Sequence, residues 1–309
     1  MKYSFYLLLV IVFVSISCKS HLQTLVEEAP LISVQIPMSS TDSLRLPKAP
    51  EKMVSLAPNF TEIIYLLGAE EKLAARSESS TYPEKVYELP EVRGFPLPEV
   101  EDLMSYEPEV VLVSPEMRAQ YIFPDSISTY TTLTDKLDQL FTAINYLGML
   151  TAHESQAAQI VDSLSSLKNA ISSTTKDEIS YRTLILVRTD TLVAAGGSGM
   201  LNEMIEMAGG VNCFGEREEM YTAISPQEFL DAQPEFLIIP SKNTQVYGDL
   251  ISRFPGFQYT EAEKQNHVFI VDPEVWFSQS PRVFDAGLDL TQMFHSHLVR
   301  ETFLPSDTL

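Results

Sequence analysis

Short runs rich in apolar and β-branched residues alternate along this chain with longer stretches in which apolar positions return every third or fourth residue. The runs Met53–Ala57, Leu73–Arg76, Val110–Ser114 and Ile127–Leu133 read as short buried strands. Behind the first of them Phe60, Ile63, Ile64 and Leu67 keep helical spacing. Asn59 and Glu62 have the three-residue separation of a capping box at the start of that helix, and Gly68 stops it. Thr134 is placed to cap a helix that carries Leu137, Leu140, Phe141, Ile144 and Leu147 and ends at Gly148. Thr151 with Glu154 forms another box, and Ala157, Ile160, Val161, Leu164, Leu167 and Ile171 carry the stripe onward. At 1.5 Å per residue a helix over Ala152–Ile171 spans roughly 30 Å, enough to join two lobes.

The same rhythm resumes with strands expected at Thr183–Val187, Leu192–Ala195, Phe236–Pro240 and Val268–Val271. After Gly196-Gly197-Ser198-Gly199 a helix presents Met200, Leu201, Met204, Ile205 and Ala208, and Gly209-Gly210 ends it. A last amphipathic helix starts near Pro281 and carries Phe284, Leu288, Thr291, Phe294 and Leu298. The polar, proline-dotted segment 19–50 reads as a tether with an edge hairpin, Leu31–Ile36 against Leu44–Leu46. The expected organisation is a first α/β lobe over 51–133, connecting helices over 134–173 and a second α/β lobe over 174–309.

Composition adds limits. A chain of 309 residues with 45% hydrophobic and 20% charged residues is an ordinary globular one, long enough for two modest cores. Its formal charge of -21 repels phosphate backbones and argues against nucleic acid as a partner. Lys2 precedes an apolar run from Phe5 to Ser17, too short for a comfortable membrane span and of signal-peptide length. Ser15-Ile16-Ser17-Cys18 resembles a bacterial lipobox, with serine where leucine is usual, so residues 1–18 read as a lipoprotein signal with Cys18 as the lipidated residue. Cys213 is then the one cysteine left, which excludes an internal disulfide. The five histidines are scattered and do not converge as ligands of a bare metal ion. The glycine run lacks the lysine of a phosphate-binding loop, and Ser165 with Lys168 lacks a supporting motif, so no enzymatic chemistry is expected.

The stretch Met53-Val-Ser-Leu-Ala-Pro-Asn-Phe-Thr-Glu62, then Tyr82-Pro83, Glu101 and Tyr106-Glu-Pro-Glu-Val110, resembles the opening of the periplasmic binding proteins of cobalamin and iron-siderophore ABC importers. Ala195-Gly196-Gly197, Ala208-Gly209-Gly210-Val211-Asn212, Ile224-Ser225, Gln233-Pro234-Glu235 and Ser280-Pro281-Arg282 continue the likeness, which is strongest to cobalamin-binding members. The resemblance implies the helical-backbone fold of that family, two α/β lobes joined by one long helix. It also implies a metal-chelate ligand gripped between the lobes, unaltered chemically, and handed to a membrane permease with its ATPase. Lipidation would hold the protein on the periplasmic side of a bacterial membrane. Phe95 and Tyr221 fall where cobalamin binders present tryptophans, Trp276 precedes the Ser-Pro-Arg segment, and Tyr82 stands near the mouth of the cleft, whereas Ser114 replaces an aromatic residue. Glu101 matches a glutamate that engages permease arginines from the first lobe; its second-lobe counterpart aligns on Gln227, with Glu228 beside it. Cobalamin, a ferric siderophore and haem remain as ligands, and a surface scaffold lipoprotein remains as a reading without one.

Overall fold

A computed structural model describes residues 34–38, 43–94 and 97–296. The signal segment with Cys18, the aromatic Phe95 and the chain beyond Ser296 lie outside the described residues.

The chain enters as an antiparallel hairpin, β1 (Val34–Pro37) on β2 (Ser43–Leu46), with Ile36 opposite Leu44. Both side chains are buried, so the hairpin is fastened by its apolar face to the core of the first lobe. That lobe is built on four parallel strands, β3 (Met53–Ser55), β4 (Leu73–Arg76), β5 (Val110–Leu112) and β6 (Ser128–Tyr130), in the order β4-β3-β5-β6. The two central strands, β3 and β5, are buried along their whole length because both faces are covered. Period-two geometry still divides their side chains. Met53, Val110 and Leu112 join Phe60, Ile63, Ile64 and Leu67 of α1 (Pro58–Leu67), while Val54 and Val111 face Leu103 of α2 (Val100–Ser105) and Met117 of α3 (Pro115–Gln120).

Two helices follow, α4 (Leu137–Thr151) and α5 (Glu154–Thr175). With 22 residues, α5 is the long strut between the lobes and runs roughly 33 Å. Its buried residues Ala157, Ile160, Leu164, Ile171 and Thr175 lie along one stripe. Gly148 does not end α4, as its type suggests; a methyl group there would meet the Cβ of Ala157 at 2.5 Å, so glycine marks the crossing point of the two helices. The chain turns instead at Ala152, whose φ of 61° is left-handed.

The second lobe carries a mixed sheet ordered β10-β8-β7-β11-β12, made of β7 (Arg182–Arg188), β8 (Val193–Ala195), β10 (Tyr221–Ala223), β11 (Phe236–Pro240) and β12 (Val268–Val271), with β9 (Val211–Asn212) beside the start of β7. Strands β7, β11 and β12 are parallel, and β8 runs antiparallel to β7 and β10. Helices α6 (Met200–Met207), α7 (Pro226–Ala232), α8 (Val246–Arg253), α9 (Glu261–Lys264), α10 (Pro273–Trp276) and α11 (Val283–Phe294) complete it. One apolar cluster runs from the first sheet through α4, α5, α6 and α11 to Phe236 and Ile238 of the second. The two lobes are thus joined by packed side chains as well as by the strut, which makes the joint stiff.

Three expected caps are absent. The start of α1 is Pro58 behind Ala57, with no side-chain cap; Asn59 and Glu62 reach other elements. Thr134 does not cap α4, where Lys136 takes the N-cap position and the Leu137 amide donates to Glu203 of the opposite lobe at 2.7 Å. Thr151 belongs to the last turn of α4 and donates to the Leu147 carbonyl. In the first two cases, polar groups that local rules assign to helix ends are used to bind the lobes together.

Candidate ligand cleft

The parallel strands of the first sheet end on loops that face the second lobe, the place where open α/β sheets present ligands. A chain of buried hydroxyls shapes this edge: Thr61 Oγ1 donates to Ser55 Oγ at 2.8 Å and lies 3.0 Å from Ser80 Oγ, which is 3.0 Å from Ser77 Oγ. Arg76, also buried, donates to the carbonyls of Ser77 and Ser80 and pairs with Glu91 at 3.1 Å. These bonds pin the segment that leads to Tyr82, a ring 45% exposed and followed by a cis bond to Pro83.

Across from it stands Arg282, at the entry of α11. Its guanidinium lies 4.1 Å over the Tyr82 ring and grips Glu62 of α1 with two bonds, Nε at 2.8 Å and Nη2 at 2.5 Å. Ser280 Oγ also donates to Glu62, at 2.5 Å. A second bridge runs from Asn59 Nδ2 to Thr134 Oγ1, from there to Gln279 Oε1, and from Gln279 Nε2 to Asp135 Oδ1 at 2.9 Å. Both bridges connect the first lobe to the segment that leads into α11.

Beside the second bridge, Asp135, Met200, Leu201, Met220, Tyr221, Trp276 and Gln279 line a dent of about 20 Å³. Tyr221 is 44% exposed at the edge strand and presents its ring there, whereas Trp276, 2% exposed, is chiefly the apolar floor beneath. Burial pushes the Asp135 carboxyl above its ordinary range and Glu116 adds to the shift, against the bond from Gln279. The Tyr221 phenol is likewise raised by burial, with Asp135 contributing. A larger groove of about 560 Å³ adjoins on the first lobe, lined among others by Pro115, Arg118, Thr131, Leu133 and Gln139.

The four aromatic positions are therefore distributed as follows. Tyr82 and Tyr221 stand half-exposed on opposite lobes, Trp276 lies beneath the dent, and Phe95 is outside the described residues. The two glutamates also occupy opposite lobes, each in the first turn of a helix. Glu101 is exposed at the start of α2. Glu228 accepts from the Ser225 amide and hydroxyl, each at 2.8 Å, closing a capping box at α7, and pairs with Arg217 at 2.6 Å. Those bonds hold its carboxyl below the usual range. The Ser225-to-Glu228 spacing carries that box openly in the sequence. Glu62, Asp135 and Gln279 carry no sequence signal of their role, which depends on partners far along the chain.

Other candidate chemistry is accounted for by packing. The Gly196 and Gly197 amides donate to the carbonyls of Met220 and Arg217, and side chains there would collide with the carbonyls of Glu219 and Gly215. These glycines admit a neighbouring loop and leave no cradle for a phosphate. Burial pushes the Cys213 thiol up to about 12, away from the thiolate form that acts as a nucleophile. His153 and His267 hydrogen-bond to backbone carbonyls, and His295 is buried against the Ala208 carbonyl. Among the described residues no group of three His, Cys, Asp or Glu side chains converges to hold a metal ion, and no helix is long and apolar enough to cross a membrane.

Two α/β lobes fastened to one rigid strut and meeting across a polar seam define a bilobed helical-backbone protein of the ligand-binding kind. The chain belongs to the periplasmic binding protein family, whose sequence model matches residues 53–275. It is 25% identical to the vitamin B12-binding protein of Yersinia pestis over 259 residues, covering 82% of this chain and 90% of that one. Among solved structures it is similar to the periplasmic heme-binding protein RhuT from Roseiflexus sp. RS-1 in apo form, with 25% identity and a TM-score of 0.68 over 80% of this chain and 98% of that one. A periplasmic binding protein from Veillonella parvula superimposes with a TM-score of 0.74 at 20% identity, over 85% and 98%.

Proposed function

We propose that this protein captures cobalamin or a closely related metal chelate between its lobes and delivers it to an ABC permease. The observation that carries the reading is the pair of half-exposed tyrosines on opposite lobes, Tyr82 against Arg282 and Tyr221 beside the thioethers of Met200 and Met220. Aromatic faces and polarizable sulfur suit the broad apolar surface of a macrocycle. The vitamin B12-binding relative supports the same ligand class. The ligand leaves as it arrived, since the protein holds and releases it without covalent chemistry. Isothermal titration with cyanocobalamin tests this: heat saturating at one ligand per chain supports it, and no heat at micromolar protein overturns it.

Haem is the second reading, favoured by the similarity to a heme-binding protein. A tyrosine such as Tyr82 would be the iron ligand, and a spectral titration with haemin separates the two. In the delivery step Glu101 and Glu228 meet arginines of the permease, one from each lobe. Lysine at position 101 then abolishes stimulation of the importer's ATPase while ligand affinity stays unchanged; intact stimulation removes Glu101 from docking. Lipid at Cys18 tethers the protein to the periplasmic face of a bacterial membrane. Failure of radiolabelled palmitate to enter the full-length protein in cells sinks the tether.

A further inference from the structure

The charges at the seam bear on which chelate the cleft accepts. The lining of the dent contains one ionisable carboxyl, Asp135, with the Gln279 amide and the Tyr221 phenol, and no lysine or arginine. Glu116, at the start of α3, adds a second negative group within electrostatic reach of Asp135. Arg282, three residues past Gln279, is unavailable for a ligand: Glu62 holds it with two bonds, and Tyr82 covers its face. Lys136 follows Asp135 in the chain but does not line the dent, and Arg118 lies in the neighbouring first-lobe groove. The Asp135 carboxylate accepts one bond from Gln279, and a carboxylate has room for several more.

We propose that Asp135 makes the cleft selective for macrocycles rimmed with hydrogen-bond donors, such as carboxamides, and against the same rings rimmed with carboxylates. The inference rests on the chelate-binding reading and sharpens it, because corrinoids with amide side chains and porphyrins with propionates differ in this property. A donor on the rim completes the hydrogen bonding of Asp135 in a partly dehydrated site. A carboxylate there faces Asp135, with the negative field of Glu116 added and no lysine or arginine lining the dent to compensate.

Matched pairs of ligands test it, one pair for each ring. Dicyanocobinamide is compared with dicyanocobyrinic acid, the same corrin with carboxylates, and haemin bisamide with haemin, each titrated into wild-type protein and into Asp135→Asn. For whichever ring binds, the amide form is expected to bind at least about tenfold more tightly to the wild type, equivalent to about 1.4 kcal/mol. Asp135→Asn should narrow that ratio to about threefold or less, mainly by strengthening the carboxylate form. A ring that binds equally well in both forms, or a ratio that Asp135→Asn leaves unchanged, overturns the selectivity while chelate binding stands. If no member of either pair binds, macrocycle binding itself fails and the selectivity with it. The wild-type comparison needs no variant, so a folding defect in Asp135→Asn cannot hide the answer.

Discussion

Glutamine in place of Glu62 would leave the Arg282 guanidinium in a nearly closed seam without its counter-charge. The two side chains are 18% and 9% exposed, and the contact is bidentate, so the pair behaves more as a buried than a surface ion pair. Removing one partner of a buried pair costs roughly 3–5 kcal/mol. Residual exposure of Arg282 and its position over Tyr82, a cation–π contact of about 1 kcal/mol, bring Glu62→Gln below that range, to about 2–3 kcal/mol. For a body of this size that corresponds to a fall in Tm of about 4–10 °C. Scanning calorimetry and urea denaturation measure it, with Arg282→Met and the double variant Glu62→Leu/Arg282→Met completing a thermodynamic cycle. The double variant should recover more than half of the loss, because both charges and their dehydration cost leave together. A loss under about 0.5 kcal/mol for Glu62→Gln would refute the reasoning, since the pair would then be worth no more than an exposed one.

At the crossing of two loops, Gly197→Ala should cost about 1–3 kcal/mol in urea unfolding, because the new methyl group collides with the Gly215 carbonyl; Gly248→Ala, with open space around it, should be neutral or slightly stabilising. Trp276→Ala should lower stability by about 3–5 kcal/mol and weaken ligand binding with it, whereas Tyr221→Ala should weaken binding at a stability cost below about 1 kcal/mol; the Tyr221 part fails if affinity is unchanged. Asp102 is held below the usual carboxylate range by the Arg93 amide and guanidinium, which outweigh the cost of its burial. Its folded pKa lies under the unfolded one, so its contribution is present at neutral pH and is lost as pH falls through the folded value. Tm followed from about pH 6 to about pH 3 should therefore drop less for Asp102→Asn than for wild type. Glu228→Ala should lower stability through loss of its capping box, so a stability measurement has to accompany any transport assay on that variant.

Periodicity alone marked the parts whose formation depends on near neighbours and on burial of a continuous apolar face. Strands β11 and β12 and the α5 stripe follow directly from runs and spacings in the chain, and Gly68 and Gly209 stop their helices with φ of 72° and 82°. The family likeness, carried by motifs in a fixed order, identified the bilobed helical-backbone class. Shorter elements such as α3 and α8, with too few residues to display a period, were not legible.

What tertiary structure alone decided is the use of the polar side chains at the seam. By local grammar Asn59, Glu62 and Thr134 are capping residues, yet Asn59 meets Thr134, Glu62 meets Arg282, and a glutamate from the other lobe caps α4. Glu62 and Arg282 are separated by 220 positions, so no window along the chain pairs them. A buried polar group takes whichever partner the fold brings within hydrogen-bonding distance, and that choice is made only after the apolar cores have fixed where the lobes meet.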